Sequence, residues 1–157
     1  MRNLLAPPND DLRALLARVR TIAVVGFSPN PARPSHFVSA FLFEAGYRVI
    51  PINPGQEGRV FFGEPARARL SDVDVPADMV DIFRRPDHVP GIVDEALAAF
   101  PDLALIWMQI GVRNSDAAAK AQGQGVAVVQ DRCPKIEIPR LFGPVWRVGS
   151  GNEPIVG

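Results

Sequence analysis

Short apolar segments recur along this chain and alternate with segments of helical periodicity. Apolar, β-branched stretches of this length are typical of buried strands in a parallel sheet that helices cover on both faces. The predicted strands are residues 21–26, 47–53, 78–83, 103–109 and 125–130. A further short segment at 60–62 could add a sixth strand.

Apolar residues at spacings of three and four predict amphipathic helices between these strands. The predicted helices are residues 9–20, 35–45, 87–99 and 115–122. The first precedes every strand, and the others connect consecutive strands. This order predicts an α/β fold: a doubly wound, mostly parallel, five- to six-stranded, Rossmann-like sheet with an extra N-terminal helix.

The 157 residues are enough for one domain with one main core. We expect residues 1–138 to form this domain. Beyond it the sequence has no helical or strand periodicity and is rich in glycine and proline. Residues 139–157 are therefore predicted to be an irregular C-terminal tail.

The balance of charges and the lack of targeting signals in the sequence argue against nucleic acid and membranes as partners. Seventeen basic residues balance seventeen acidic ones, so no global field attracts nucleic acid or an anionic membrane. No apolar run approaches the roughly 20 residues that cross a bilayer, and the N-terminus does not resemble a secretory signal. Cys133, the single cysteine, fits a reducing compartment. We expect a cytoplasmic protein that recognises anions locally.

In a doubly wound sheet, ligands bind at the carboxyl ends of the strands. The loop at 26–35 leads from the first strand into a helix N-terminus, where N–H groups and the helix dipole favour phosphate. It has only the first glycine of the dinucleotide fingerprint. Asn53 stands where a nicotinamide site usually has an acidic residue, so the pattern counts against NAD.

Each of these features has a plainer interpretation. Gly26 could serve only the turn, and the arginines of the loops could be solvated surface residues. Cys133 could be a small buried hydrophobe or a thiol near the reactive end of a ligand. His36 and His88 are expected on helix surfaces.

Five motifs in order, GFSPNPARPS, GYRVIPINP, VDIFRRP, IWMQIGV and DRCPKIE, resemble those of the CoA-binding-domain family of small stand-alone proteins. The resemblance covers roughly residues 9–138. That family is related in fold to the CoA-binding domain of the succinyl-CoA synthetase α subunit. The resemblance implies that the cofactor is coenzyme A, lying across the ends of the strands.

Position by position, the resemblance implies pyrophosphate contacts in the first loop, adenosine near the second strand and pantetheine near residues 109–112. The implied binding residues are Gly26, Phe27, Ser28, Asn30, Arg33, Pro34, Asn53, Pro54, Phe83, Arg84, Arg85, Gln109, Gly111, Val112 and Cys133. The lysine that related sites often use for the 3′-phosphate is absent here, and Arg59 could replace it.

Three functions remain open at this stage. The first is a module that stores, senses or carries CoA or a short acyl-CoA without catalysis. The second is a subunit of an acyl-CoA ligase-like or transferase enzyme. The third is an NAD-responsive regulator. We predict no catalytic residue and no metal, and we expect no nucleic-acid or membrane partner. A homo-oligomer or an enzyme partner is left open.

Overall fold

The computed structural model describes residues 5–149, so residues 150–157 of the predicted tail lie outside the described chain. The helices are α1 Asn9–Arg18, α2 Pro34–Glu44, α3 Val89–Ala99, α4 Ser115–Gly123 and α5 Pro134–Phe142. The strands are β1 Thr21–Val25, β2 Arg48–Ile52, β3 Val60–Phe61, β4 Glu64–Pro65, β5 Met79–Ile82, β6 Leu105–Met108 and β7 Ala127–Val129.

Five parallel strands form the main sheet in the order β2-β1-β5-β6-β7. β1 is flanked by β2 on one side, where Val25 pairs with Ile52, and by β5 on the other, where Val25 pairs with Ile82. The order therefore reverses between β1 and β5, which makes their carboxyl ends the expected ligand position. The predicted doubly wound α/β fold is confirmed.

Helices cover both faces of this sheet. α1, α2 and α5 pack on one face, and α3 and α4 pack on the other. Along β6 the side chains alternate between the two cores: Trp107 faces the first core and Met108 the second. Within residues 5–149, no helix is long and apolar enough to cross a bilayer.

The segment at 60–62 does not join the main sheet. Val60–Phe61 pairs antiparallel with Glu64–Pro65 in a separate hairpin. Phe62 and Gly63 have positive φ angles of 55° and 77°, which turn the chain tightly between the two strands. The main sheet therefore has five strands.

α5 continues past residue 138, where the sequence predicted the start of the tail. It begins with Pro134, and proline is well suited to this position because an N–H in the first turn has no acceptor within the helix. It passes through Pro139 and ends at Gly143, with φ 87°. Leu141 and Phe142 are buried in the core. None of α5 was among the predicted helices, and its two prolines, Pro134 and Pro139, weaken the helical pattern in the sequence.

Candidate functional site

A cleft of about 1050 Å³ opens at the carboxyl end of the sheet, at the point where strand order reverses. It is lined by the loops that follow β1, β5 and β6 and by the first turns of α2 and α5; we call it the main cleft. Eleven predicted binding residues line it: Gly26, Ser28, Arg33, Pro34, Phe83, Arg84, Arg85, Gln109, Gly111, Val112 and Cys133.

A smaller cleft of about 400 Å³ adjoins the main one at Gly26 and Arg84. It lies over the ends of β1 and β2 and contains two more predicted residues, Asn53 and Pro54. It also contains Arg69, which the sequence analysis did not single out. The parallel strands thus bring residues from distant parts of the sequence to one edge.

Gly26 marks the contact between the loops that follow β1 and β5. Its φ is 85°, and a Cβ atom there would lie 2.4 Å from the carbonyl oxygen of Phe83. No other residue fits so close to a backbone atom. The turn interpretation of Gly26 therefore has a physical basis, and this contact forms the boundary shared by the two clefts.

The first loop is held by its own side chains. The N–H of Ser28 donates to Ser35 Oγ at 2.9 Å, and that of Asn30 donates to Ser28 Oγ at 3.1 Å. The N–H of Ala32 donates to Asn30 Oδ1 at 3.0 Å. Asn30 therefore stabilises the loop and does not line either cleft. Since these amides are already bonded, a phosphate here would depend mainly on side chains and the dipole of α2.

Phe27 is buried beneath this loop rather than in a cleft. Its ring packs against His36, Phe61 and Phe62, with centroid distances of 5.2, 4.9 and 5.9 Å. His36 Nδ1 lies 3.0 Å from the carbonyl oxygen of Ser28. His36 lies in α2, as expected, and its ring is half-buried among aromatic side chains.

Asn53 ties the end of β2 to the first loop. Its Nδ2 donates to the carbonyl oxygen of Phe27 at 2.7 Å, and its Oδ1 accepts from the N–H of Gly55 at 2.8 Å. Both polar atoms of the side chain have partners inside the protein. The residue at the position typical of a ribose-binding acid is therefore a structural link.

The main cleft is lined by cations. Arg33, Arg84, Arg85 and Lys135 contribute to it, and its lining contains no carboxylate. Arg85 lies 3.7 Å from Asp87, whereas within residues 5–149 the other three have no ion-pair partner. The chain as a whole has no net charge. The positive charge is therefore local, as the sequence predicted, and α2 and α5 add the positive ends of their dipoles.

Apolar side chains make up much of the remaining lining. The sequence analysis missed Phe37, Ile110 and Ile136, which are 42%, 61% and 58% exposed. Phe37 lies in a predicted helix, where periodicity suggests a core position, whereas Ile136 lies in α5, which was not predicted. Lys135 was also not predicted to line the site, although it belongs to the DRCPKIE motif.

Two polar side chains near the cleft are buried without hydrogen-bond partners. Gln109, 6% exposed, lines the cleft, and its Oε1 has no partner. Asp81 in β5 is fully buried two residues before Phe83, and neither of its carboxyl oxygens has a partner. Burial raises the pKa of Asp81 well above its ordinary value, which favours the neutral form. Cys133 is 8% exposed at the start of α5.

Comparison with known proteins gives consistent relationships. Residues 20–139 match the CoA binding domain family. The chain is 36% identical over 130 residues to the uncharacterized protein YneT of Bacillus subtilis, covering 83% of this chain and 93% of YneT. The structure of cell-free ID.343 from Thermus thermophilus is 40% identical, with a TM-score of 0.80 over 85% of this chain and 98% of that one.

One similar structure is an enzyme. The dinucleotide forming acetyl-coenzyme A synthetase 1 from Ca. Korarchaeum cryptofilum, solved in complex with phosphate and ADP, is 25% identical with a TM-score of 0.62. The match covers 77% of this chain but 27% of the synthetase chain. The shared part is therefore a minor portion of that enzyme.

Proposed function

This chain belongs to the CoA binding domain family, and from that premise we propose that it binds coenzyme A or a short acyl-CoA across the two adjoining clefts. Its role is to store, sense or carry the cofactor. One observation carries the proposal: in a cleft whose lining contains no carboxylate, two helix N-termini meet three cations that have no ion-pair partner among residues 5–149. This environment suits the phosphate groups of CoA.

The strand order gives the ligand a direction. The smaller cleft over β1 and β2 would hold the adenosine, with Asn53 and Pro54 beside it. The boundary between the clefts, at Gly26 and Arg84, would hold the pyrophosphate, with Arg33 available in the adjoining main cleft. The ends of β6 and β7 would hold the pantetheine and place the thiol towards Cys133.

Arg69, rather than Arg59, is our candidate for the 3′-phosphate. Arg59 is engaged by Gln56 Oε1, and its guanidinium lies 5.2 Å from the centroid of the Phe61 ring. Arg69 is exposed in the smaller cleft, and within residues 5–149 its side chain has no ion-pair partner. The carboxylate of the same cleft, Glu95, already accepts from Ser71 Oγ at 3.3 Å.

Calorimetric titration tests the proposal. We expect CoA to bind, and NAD at equal concentration not to displace it, because Asn53 offers no carboxylate to the ribose. Arg69→Ala should weaken CoA about tenfold by removing one charge-assisted contact, and it should leave the binding of 3′-dephospho-CoA unchanged. Arg18→Ala, an exposed arginine at the end of α1 and outside both clefts, is the matched control. Absence of CoA binding to the wild type would overturn the proposal.

A second function, a CoA-binding subunit of an acyl-CoA ligase-like enzyme, is favoured by the match to part of a synthetase chain. It predicts that the protein needs another chain for catalysis. Release of free CoA from acetyl-CoA with ADP and phosphate, by this chain alone, would contradict both the carrier role and the need for a partner.

A further inference from the structure

Exposed apolar side chains line part of the main cleft. Six large hydrophobic side chains are exposed within residues 5–149, and three of them, Phe37, Ile110 and Ile136, line this cleft. They come from three separate elements: α2, the loop after β6, and α5. Single exposed hydrophobic residues are ordinary, but three around one concavity are typical of a site for an apolar ligand.

The loops after β5 and β6 differ in polarity along the direction assigned to the ligand. Arg84 lies after β5, where the main cleft meets the smaller one, and Arg33 lies in the main cleft at the N-terminus of α2. Ile110, Val112 and Ile136 lie beyond them, after β6 and at the start of α5. A ligand with its phosphates at the arginines would therefore extend its opposite end into apolar surroundings.

The main cleft also has room beyond a compact ligand. Its volume of about 1050 Å³ is at the upper limit of the roughly 300–1000 Å³ that is usual for small-molecule sites. Lys135 also lines the main cleft, next to Ile136 in α5, and its ammonium group lies 5.8 Å from the centroid of the Phe41 ring. The apolar side chains therefore have one cation beside them.

We propose that the three exposed apolar side chains of the main cleft, Phe37, Ile110 and Ile136, bind the hydrocarbon chain of an acyl-CoA. The preferred ligand would then be a thioester with an uncharged acyl chain longer than acetyl, not free CoA. The inference rests on the proposed function and specifies its ligand class. The three side chains, exposed in the free protein, become covered when the acyl chain is bound.

The expected signature is an affinity that rises with chain length. Full burial of one methylene group corresponds to about a fourfold gain in binding constant, and partial burial in an open cleft to about twofold. Calorimetric titration with CoA, acetyl-CoA, butyryl-CoA and hexanoyl-CoA should therefore give successively lower dissociation constants. The gain should stop when the chain extends beyond Ile136.

Ile136→Ser should flatten this series while leaving the dissociation constant of free CoA within about twofold, since free CoA has no acyl chain to contact position 136. Val145→Ser is the matched control: Val145 is 77% exposed and does not line the cleft, so its series should equal that of the wild type.

The outcomes separate this inference from the proposed function. Failure of CoA itself to bind would overturn the proposed function and, with it, the inference. Binding of CoA with a flat acyl series in the wild type would overturn only the inference. If the wild type gives a flat series and self-associates, and Ile136→Ser no longer self-associates in sedimentation velocity, the three apolar side chains would instead contact a second copy of the chain.

Discussion

Arginines near the hairpin and arginines of the main cleft have opposite surroundings. Arg48 makes a bidentate contact with Glu64, at 2.7 and 3.1 Å, and Arg67 contacts both Glu64 and Asp74. The guanidinium groups of Arg33 and Arg84 form no ion pair with any carboxylate of residues 5–149. Pairing within the chain thus distinguishes arginines that join structural elements from arginines left available to an external anion.

The largest effect is expected when the two unpaired arginines of the main cleft are removed. The double variant Arg33→Ala/Arg84→Ala should bind CoA about a hundredfold more weakly. Each lost charge-assisted contact lowers the affinity about tenfold, and the two free-energy losses add because the contacts involve separate groups. The melting temperature of the free protein should be unchanged, since neither side chain contributes an ion pair. Calorimetry and thermal denaturation measure the two quantities.

Arg67→Ala is the matched control from the hairpin region. It should lower the melting temperature and leave the CoA dissociation constant unchanged. Equal CoA affinity in the double variant and the wild type would mean that the unpaired arginines are solvated surface residues.

A smaller effect concerns the ion pairs of Glu64 near the hairpin and the dependence of their contribution on pH. Hydrogen bonding from Arg48 lowers the pKa of Glu64. A lowered pKa stabilises the folded state above the unfolded value, about 4.3, and this contribution is lost as pH falls through the folded value. Glu64→Gln should therefore reduce the free energy of unfolding by about 1 kcal/mol at pH 7.

The stability difference between Glu64→Gln and the wild type should close in strongly acidic solution. Urea denaturation at pH 7 and at pH 3 measures it. A difference of equal size at both pH values would show that packing, and not charge, accounts for the effect.

The smallest expected effect on binding comes from Asp81. Burial raises the pKa of Asp81 well above the ordinary value, which favours the neutral form and reduces the negative charge that this side chain contributes near the cleft. Asp81→Asn should therefore leave the CoA dissociation constant at pH 7 within about twofold of the wild type. A large gain in affinity would show that an ionised Asp81 partly neutralises the cleft arginines.

The pKa of Asp81 also predicts how the stability of Asp81→Asn, relative to the wild type, changes with pH. A raised folded pKa stabilises the native state below the unfolded value, about 3.9, and that contribution is lost as pH rises towards the folded value. The stability of Asp81→Asn relative to the wild type should therefore increase from pH 4 to pH 7. Urea denaturation at both pH values measures the change.

The sequence predicted which loops meet at one edge of the sheet, because the topology determines it. Once the apolar segments form parallel strands, the residues after each strand must lie at one edge, so Arg33, Arg84 and Gln109 come together although they are distant in the chain. Sequence did not predict the orientation of Phe27, which turns inward because the loop above it is closed by its own hydrogen bonds.

The apolar half of the cleft and the buried acid were harder to foresee. Phe37 occupies a helix position that periodicity alone assigns to a core, and its exposure depends on how α2 sits against α5. Asp81 lies in an apolar strand, where a single acidic residue gives no signal of its state. Both features depend on packing between elements rather than on the local pattern.

The two hydrogen bonds of Asn53 bear on how the ligand of such a protein could change during evolution. Asn53→Asp would introduce the carboxylate typical of nicotinamide sites, but it would also replace the donor to the Phe27 carbonyl with a second acceptor. The loss of that partly buried hydrogen bond would cost about 1 kcal/mol of stability. Under the proposed function, a step from CoA towards NAD would therefore lower the stability of the protein before it yields any gain in affinity for NAD.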